Sequence, residues 1–222
     1  MVNREFKDQL YEHLARVGQA LANGHRLEII DLLAQGEHTV DELAGEARLS
    51  LANASQHLQV LHRAHLVSRR REGVQVRYRL ADPSVMQLWV GLRDLAAERV
   101  PDVAQVVAEE LDLSEELEAV GQAEVERQLL AGNILLLDVR PRLEYLAGHV
   151  AGSISMPLEE LEGHVAELPR EREIVAYCRG PYCRFANEAV RRLRAAGFRA
   201  RRMALGYPEW TLAARPVRTG AA

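Results

Sequence analysis

Residues 173–194, EIVAYCRGPYCRFANEAVRRLR, constrain the fold more than any other stretch of the chain. A short β-branched apolar run (Ile174, Val175, Ala176, Tyr177) leads into Cys178. A tight loop follows, then an amphipathic helix with Ala189, Val190 and Leu193 on one face. Such a run feeding a helix marks a buried parallel strand and its crossover helix. In open α/β sheets ligands sit beyond the carboxyl ends of the strands, which is where Cys178 falls. The loop Arg179-Gly180-Pro181-Tyr182-Cys183-Arg184 would wrap backbone N–H groups around the sulfur, with a helix N-terminus and two guanidiniums nearby. Each of these favours a thiolate over a thiol. The competing reading is that Cys178 is a small buried hydrophobe.

The same alternation runs through the neighbouring sequence. The periodicity predicts helix over 124–130, strand 134–139, helix 142–146, strand 153–156, helix 158–166, strand 174–178, helix 184–196 and strand 199–203. Alternating units of this size imply a mainly parallel sheet covered on both faces. A domain over 119–222 is expected, joined by a helical and acidic connector (101–118) to a first domain over 1–100. The charge distribution agrees. Residues 101–137 hold one basic and nine acidic side chains, whereas 48–80 hold seven arginines (48, 63, 69, 70, 71, 77, 79) against the single acid Glu72. That local excess in a chain of net charge −4 is a footprint for polyanions.

In the first domain, apolar residues at 6, 10, 14, 17 and 21 predict a helix, interrupted at Asn23-Gly24. A second helix buries Leu27, Ile30 and Leu33. Thr39 and Glu42 form a capping box opening a short third helix, and Ser50 caps a fourth, SLANASQHLQVLHRAH. That helix buries Leu51, Ala54, Leu58 and Leu61, and presents Asn53, Ser55, Gln56, His57, Gln59 and Arg63 on its other side. LVSRRREGVQVRYRL then alternates around Gly73 as a β-hairpin, and Asp82-Pro83 opens another helix. Two short helices, the second rich in amides on its outer face, followed by an arginine-bearing hairpin, form a winged helix-turn-helix. Ser50, Asn53, Ser55, Gln56, His57 and Gln59 are placed to reach base edges in the major groove. Arg63 and the wing arginines Arg70, Arg71 and Arg77 are placed for phosphate or the minor groove. The competing reading is a solvated face serving protein contacts.

Most of residues 15–100, carried by RLEIIDLL and TVDELAGEARLSLANASQHLQVLHRAHLVSRRREGVQVRYRL, resembles the ArsR family of winged-helix repressors. The resemblance implies a homodimer on a palindromic double-stranded operator, with dimer contacts through the first helix and the one after Pro83. The family's metal sensors carry thiolate ligands where this chain has Thr39-Val40-Asp41-Glu42-Leu43, and no cysteine precedes Cys178. His57, His62 and His65 lack carboxylates at ligand spacing, so neither a metal nor a cofactor is expected. The pieces LLLDVRPRLEYLAGHVAGSISMPL, IVAYCRGPYC and GYPEW resemble the rhodanese family over 119–217. That resemblance implies a mixed fold overall: an N-terminal winged helix and a C-terminal α/β rhodanese-like domain. It places the active cysteine at Cys178, its cradle at Arg179–Cys183, and Asp138, Arg140 and His149 at positions supporting the fold and the approach to the pocket. Rhodaneses take a sulfane sulfur on that cysteine and pass it to a thiol or cyanide.

A thiolate at Cys178 would attack a donor's outer sulfur, and N–H groups would stabilise the persulfide anion. Cys183 either resolves that intermediate as a disulfide, if the Cα atoms approach within ~7 Å, or merely packs or faces solvent. Five residues between Cys178 and Arg184 also match a phosphatase or arsenate-reductase loop. Tyr177, the want of an obvious acid and the N–H lost at Pro181 speak against that. The expected function is a repressor whose operator binding is set by persulfide or redox chemistry at Cys178, with a small sulfur donor or oxidant as effector. The alternative is a sulfurtransferase tethered to DNA, or dimerised, by its winged helix. Two cysteines five apart form no extracellular framework. Neither a signal peptide nor an apolar run approaching the ~20 residues of a membrane span is visible, so a cytoplasmic protein with no membrane partner is expected.

Overall fold

The computed structural model describes residues 4–111 and 119–221. Chain contacts divide it after Gly91 into two compact units. The latter part of the expected acidic connector lies outside the described residues.

The first unit holds α1 (Arg4–Leu21), α2 (Gly24–Leu33), β1 (His38–Thr39), α3 (Val40–Glu46), α4 (Leu51–Arg63), β2 (Val67–Glu72), β3 (Gln75–Leu80) and the start of α5 (Pro83–Arg99). The caps explain the boundaries. Asn23, which the sequence suggested only as an interruption, caps α2 by accepting from Arg26 N. Thr39 and Glu42 complete the reciprocal capping box of α3, and Ser50 accepts from Asn53 N to start α4. Arg48, in the left-handed region, makes the turn between α3 and α4. β2 and β3 form the antiparallel wing, with Arg70 opposite Arg77, and Gly73 takes the positive φ its turn requires. β1 adds to the outer side of β3, so that His38 faces Tyr78. The core gathers Ile29, Ile30, Leu33, Leu43, Leu58, Leu61, Val67 and Tyr78, with Trp89 of α5 packed on it. Trp89 Nε1 donates to Asp31.

The second unit holds the rest of α5, α6 (Pro101–Glu110), β4 (Ala119–Val120), α7 (Gln122–Leu130), β5 (Ile134–Asp138), α8 (Arg142–Ala147), β6 (His149–Val150), β7 (Ile154–Ser155), α9 (Leu161–His164), β8 (Glu173–Tyr177), α10 (Arg184–Ala195), β9 (Ala200–Met203), α11 (Tyr207–Leu212) and β10 (Val217–Arg218). The main sheet has five parallel strands in the order β4-β9-β8-β5-β7. β6 and β10 form a separate antiparallel pair. Period-two alternation sends Ile174, Ala176 and Leu137 to one face, under Ala189, Val190 and Leu193 of α10. It sends Val175, Tyr177, Ile134 and Leu136 to the other, under Val125 of α7 and Trp210 of α11. The helix expected over 158–166 is shorter: a turn from Pro157 to Glu160 precedes α9, and a 3₁₀ turn (Val165–Glu167) ends it. Gly163 inside a four-residue helix favours that outcome. β8 stops at Tyr177, so Cys178 is the first residue beyond the strand. Among the described residues no helix is long and apolar enough to cross a membrane.

Leu136 is fully buried, so Leu136→Ala should destabilise the second unit by about 2–5 kcal/mol. Denaturant titration in a Trp89→Phe background reads this directly, because Trp210 is then the only tryptophan.

Candidate functional site

The loop after β8 starts from a fixed point. The Tyr177 hydroxyl donates to Asp138 Oδ2 (2.5 Å) and accepts from Val150 N (3.1 Å). Asp138 is wholly buried and neutralised by Arg140, whose Nη2 reaches both Asp138 (2.6 Å) and the Gly148 carbonyl (2.7 Å). The Arg140 guanidinium lies 4.2 Å from the Tyr207 ring centroid and 5.6 Å from that of Tyr177. Burial and the Asp138 carboxylate push the Tyr177 phenol well above its usual range, so it stays a donor. His149 is buried, stacked on Tyr145, with Nδ1 at 2.9 Å from the Tyr145 carbonyl. Its place is in the scaffold behind the loop.

Cys178 itself is 2% exposed. Its carbonyl accepts from Tyr207 N (3.1 Å), and Cys183 N donates to the Gly180 carbonyl (3.2 Å), closing a turn. Gly206 packs so tightly on the loop that a Cβ there would run into Gly180 N and the Arg179 carbonyl. Cys183 caps α10 and is half-buried, so the helix N-terminus begins one residue beyond it. Cys178 and Cys183 form a disulfide with Cα atoms 6.1 Å apart. The distance that sequence left open is therefore short enough.

The two guanidiniums expected beside the sulfur are otherwise engaged. Arg179 Nε donates to Glu144 Oε1 (2.9 Å), and its Nη2 contacts the same oxygen. Arg184 is 70% exposed and pairs with Glu110 at 3.2 Å. The positive potential at the loop rests more on α10 and backbone N–H groups than on these side chains. Glu144, from α8, escaped the sequence reading because nothing local links it to a loop 35 residues on. Gly206 and Glu209 were within the quoted GYPEW, whose glycine–glutamate spacing is an N-cap pattern.

In the first unit, Ser50, Asn53, Gln56, Gln59 and Arg63 are exposed along α4, with Ser55 and His57 half-buried. Ser50 spends its hydroxyl on the cap. Burial, with Arg26 and His25, holds His57 below the usual imidazole range, so it is neutral near pH 7. His65 has a positive φ and closes α4, with Leu66 N donating to Leu61 O. Among the described residues no group of three or more His, Cys, Asp or Glu could hold a metal ion. On the wing, Arg70 pairs with Glu37 (2.8 Å) and Glu72 (3.4 Å). Arg77 pairs with Glu72 (2.6 Å) and Glu42 (3.8 Å). The arginine excess read along 48–80 is thus partly neutralised by Glu37 and Glu42, which β1 and α3 bring to the hairpin from outside that window. Arg71 bonds only the Gly73 carbonyl among the described residues.

Comparison with known proteins accords with this division. Residues 23–69 match the model of the bacterial regulatory protein arsR family, and residues 121–213 match the rhodanese-like domain. The HTH-type transcriptional regulator Rv0324 of Mycobacterium tuberculosis is 46% identical over 97% of this chain and 94% of its own length. The chain belongs to the ArsR family of regulators and carries a fused rhodanese-like domain. A shorter relative, HTH-type transcriptional regulator Rv2034 of M. tuberculosis, is 35% identical over 46% of this chain and 95% of its own length. A solved structure, the homodimeric winged helix-turn-helix DNA-binding domain (fragment 1–100) of Mb0332 from Mycobacterium bovis, is 43% identical, covering 45% of this chain and 91% of its own, at a TM-score of 0.42.

Removing the negative charge of Glu144 takes away the carboxylate that offsets the Arg179 charge, and a less neutralised guanidinium favours a thiolate in the same loop. In reduced Cys183→Ser protein, Glu144→Gln should raise the iodoacetamide alkylation rate of Cys178 at pH 7 about threefold, the effect of a ~0.5-unit drop in thiol pKa. An unchanged or slower rate would place the Arg179–Glu144 pair outside the chemistry.

Proposed function

We propose that this regulator is an operator-binding repressor whose DNA affinity is set by the state of the Cys178–Cys183 pair, the rhodanese-like domain acting as sensor. The observation that carries this reading is the disulfide itself: a reactive pair at a helix N-terminus, fused to a helix-turn-helix. The signal chemistry has two balanced steps. The Cys178 thiolate attacks the outer sulfur of a persulfide donor, giving a Cys178 persulfide and releasing the donor's thiolate. The Cys183 thiolate then attacks the Cys178 sulfur and expels hydrosulfide, leaving the disulfide. Peroxide reaches the same end point through a Cys178 sulfenic acid, with water leaving as Cys183 attacks.

On DNA, Asn53, Gln56 and Gln59 read base edges while Arg63, Arg71 and the exposed part of Arg70 meet phosphate. Arg77 is demoted by its two carboxylates, whereas a neutral His57 keeps one donor and one acceptor for a base edge. A homodimer is part of the proposal. Phe6, Tyr11 and Leu14 of α1 are more than half exposed, an apolar stripe suited to a second copy, and the Mb0332 domain is described as homodimeric. The sulfurtransferase alternative draws support from the rhodanese-like match, but with Cys183 within bonding reach a persulfide on Cys178 would be diverted to the disulfide before it met an acceptor.

Electrophoretic shift with a duplex selected from a random pool should show reduced protein binding at least tenfold tighter than disulfide protein, about 1.4 kcal/mol. Cys178→Ser should bind equally before and after polysulfide treatment. Equal binding by both wild-type forms would end the sensor reading, and thiosulfate:cyanide turnover at the rate of a dedicated enzyme would favour the alternative. Glu37→Gln, which leaves Arg70 with Glu72 as its remaining carboxylate and removes a negative charge beside the wing, should tighten binding to all duplexes by about two- to fivefold, within the ~0–1 kcal/mol of a surface pair. Fluorescence anisotropy at fixed salt measures it, and unchanged affinity would show that Arg70 does not reach DNA.

A further inference from the structure

The boundary between the two units falls inside α5, and Arg93 counts with the second. Its side chain is 8% exposed. Nη1 donates to Glu209 Oε1 at 2.5 Å, and Glu209 is equally buried. Glu209 uses its other oxygen to accept from Gly206 N (2.8 Å). Gly206 is the residue whose backbone lies against the Arg179–Gly180 peptide. The same guanidinium stands 5.9 Å from the Tyr182 ring centroid, and its Nη1 is 3.5 Å from where a side chain at Gly180 would begin. Nε and Nη2 are held by Asp94 at 3.1 and 2.9 Å.

One buried cation therefore meets the cysteine loop directly at Gly180 and Tyr182, and again through Glu209 and Gly206. A buried ion pair is a poor way to gain stability, since apolar side chains of the same volume do as well or better. What it supplies is a geometry that holds only while its partners stay in place. The loop residues that Arg93 touches lie between the two cysteines, so making or breaking the disulfide acts on the backbone they occupy.

We infer that Arg93 is a positioning residue for the sulfur loop, and that through it α5 registers whether Cys178 and Cys183 are joined. The second half rests on the sensor reading above; the first half does not. Two consequences follow. The positive charge beside Gly180 favours the Cys178 thiolate released on reduction. Moreover, if loop and operator are coupled through one helix, the coupling is reciprocal: DNA shifts the reduction equilibrium by the same factor by which reduction shifts DNA affinity.

The test uses the full chain as wild type, Arg93→Lys, Arg93→Met and the double variant Arg93→Met/Glu209→Gln, which leaves no unpaired charge buried should Arg93→Met fail to fold. The first readout is the equilibrium with glutathione, two glutathiones consumed per disulfide opened. The double variant is expected to shift it at least threefold toward the disulfide, with Arg93→Lys lying closer to wild type. The second is the ratio of affinities of reduced and disulfide protein for the selected duplex, expected to fall from tenfold or more to within twofold of unity. A double variant with the wild-type glutathione equilibrium overturns the assignment of Arg93. A shifted equilibrium with an unchanged affinity ratio leaves Arg93 in the loop and overturns its link to DNA. A ratio of one in the wild type defeats the sensor reading and that link together, while the glutathione readout still decides the positioning role.

Discussion

A tyrosine hydroxyl held by a buried carboxylate sets the geometry on which the second unit depends. Asp138 has no access to water; Arg140 pairs with its carboxylate and the Tyr177 hydroxyl occupies a remaining lone pair, so its buried polar atoms are satisfied. Arg140 is in turn closed off by two aromatic rings and the Gly148 carbonyl. These bonds tie the carboxyl ends of neighbouring strands β5 and β8 together, with Val150 N fastened to the same hydroxyl. Strand alternation does the rest. With Tyr177 turned to the Trp210 face, Cys178 joins the opposite core, beside Ala186 and Val190 of α10. The sulfur is thereby aimed at the start of α10 instead of at open solvent.

Much of this was legible in the residues. Every helix start in the first unit with a side-chain cap was announced by its capping residue, apart from Asn23, whose neighbour Gly24 made it read as a break. Period-two and helical patterns located β5, β8, α7 and α10 to within a residue or two. The missing elements are mostly those with too little sequence to carry a period: β1, β4, β6 and β10 have two residues each, and exist because a partner strand offers hydrogen bonds, while the six-residue α11 was also missed. The chemistry of the loop was visible in CRGPYC, but its electrostatics were not. Arg179 and Arg184 count as charges in any sequence, and only folding shows that Glu144 and Glu110 already hold them. The Cys178–Cys183 separation likewise depends on a turn at Gly180 that Gly206 enforces from another element.

The wing and the sulfur loop share a physical habit. In both, several of the arginines that a sequence reading assigns to a ligand are paired with carboxylates in the free protein: Arg70 with Glu37, Arg77 with Glu72 and Glu42, Arg179 with Glu144. Binding an anion at either place is then an exchange of partners and not the capture of a free cation. The net gain per contact is smaller than arginine counting suggests, and affinity for an arbitrary polyanion is held down along with it. For a protein of overall charge −4, the proposed operator reading then relies for discrimination on the uncharged amides of α4, whose hydrogen bonds suit base edges.

The burial of Cys178 bears on which of the two proposed uses suits the loop. Turnover demands that one sulfur meet a donor and then an acceptor repeatedly, with nothing intervening. Here a second thiol lies within bonding reach, on the residue that caps α10, and is the more accessible of the two. A persulfide formed on Cys178 therefore competes for its fate with an intramolecular attack, and effective concentrations for such neighbours far exceed those of free acceptors. The attack ends transfer, expels hydrosulfide and leaves a covalent record that persists until a reductant opens it. On the proposed chemistry, a loop that ends its own transfer in this way serves turnover less well than it serves sensing. For the sensor proposed above, that is the property required: one chemical event would leave a covalent bond spanning Gly180 and Tyr182 until a reductant opens it.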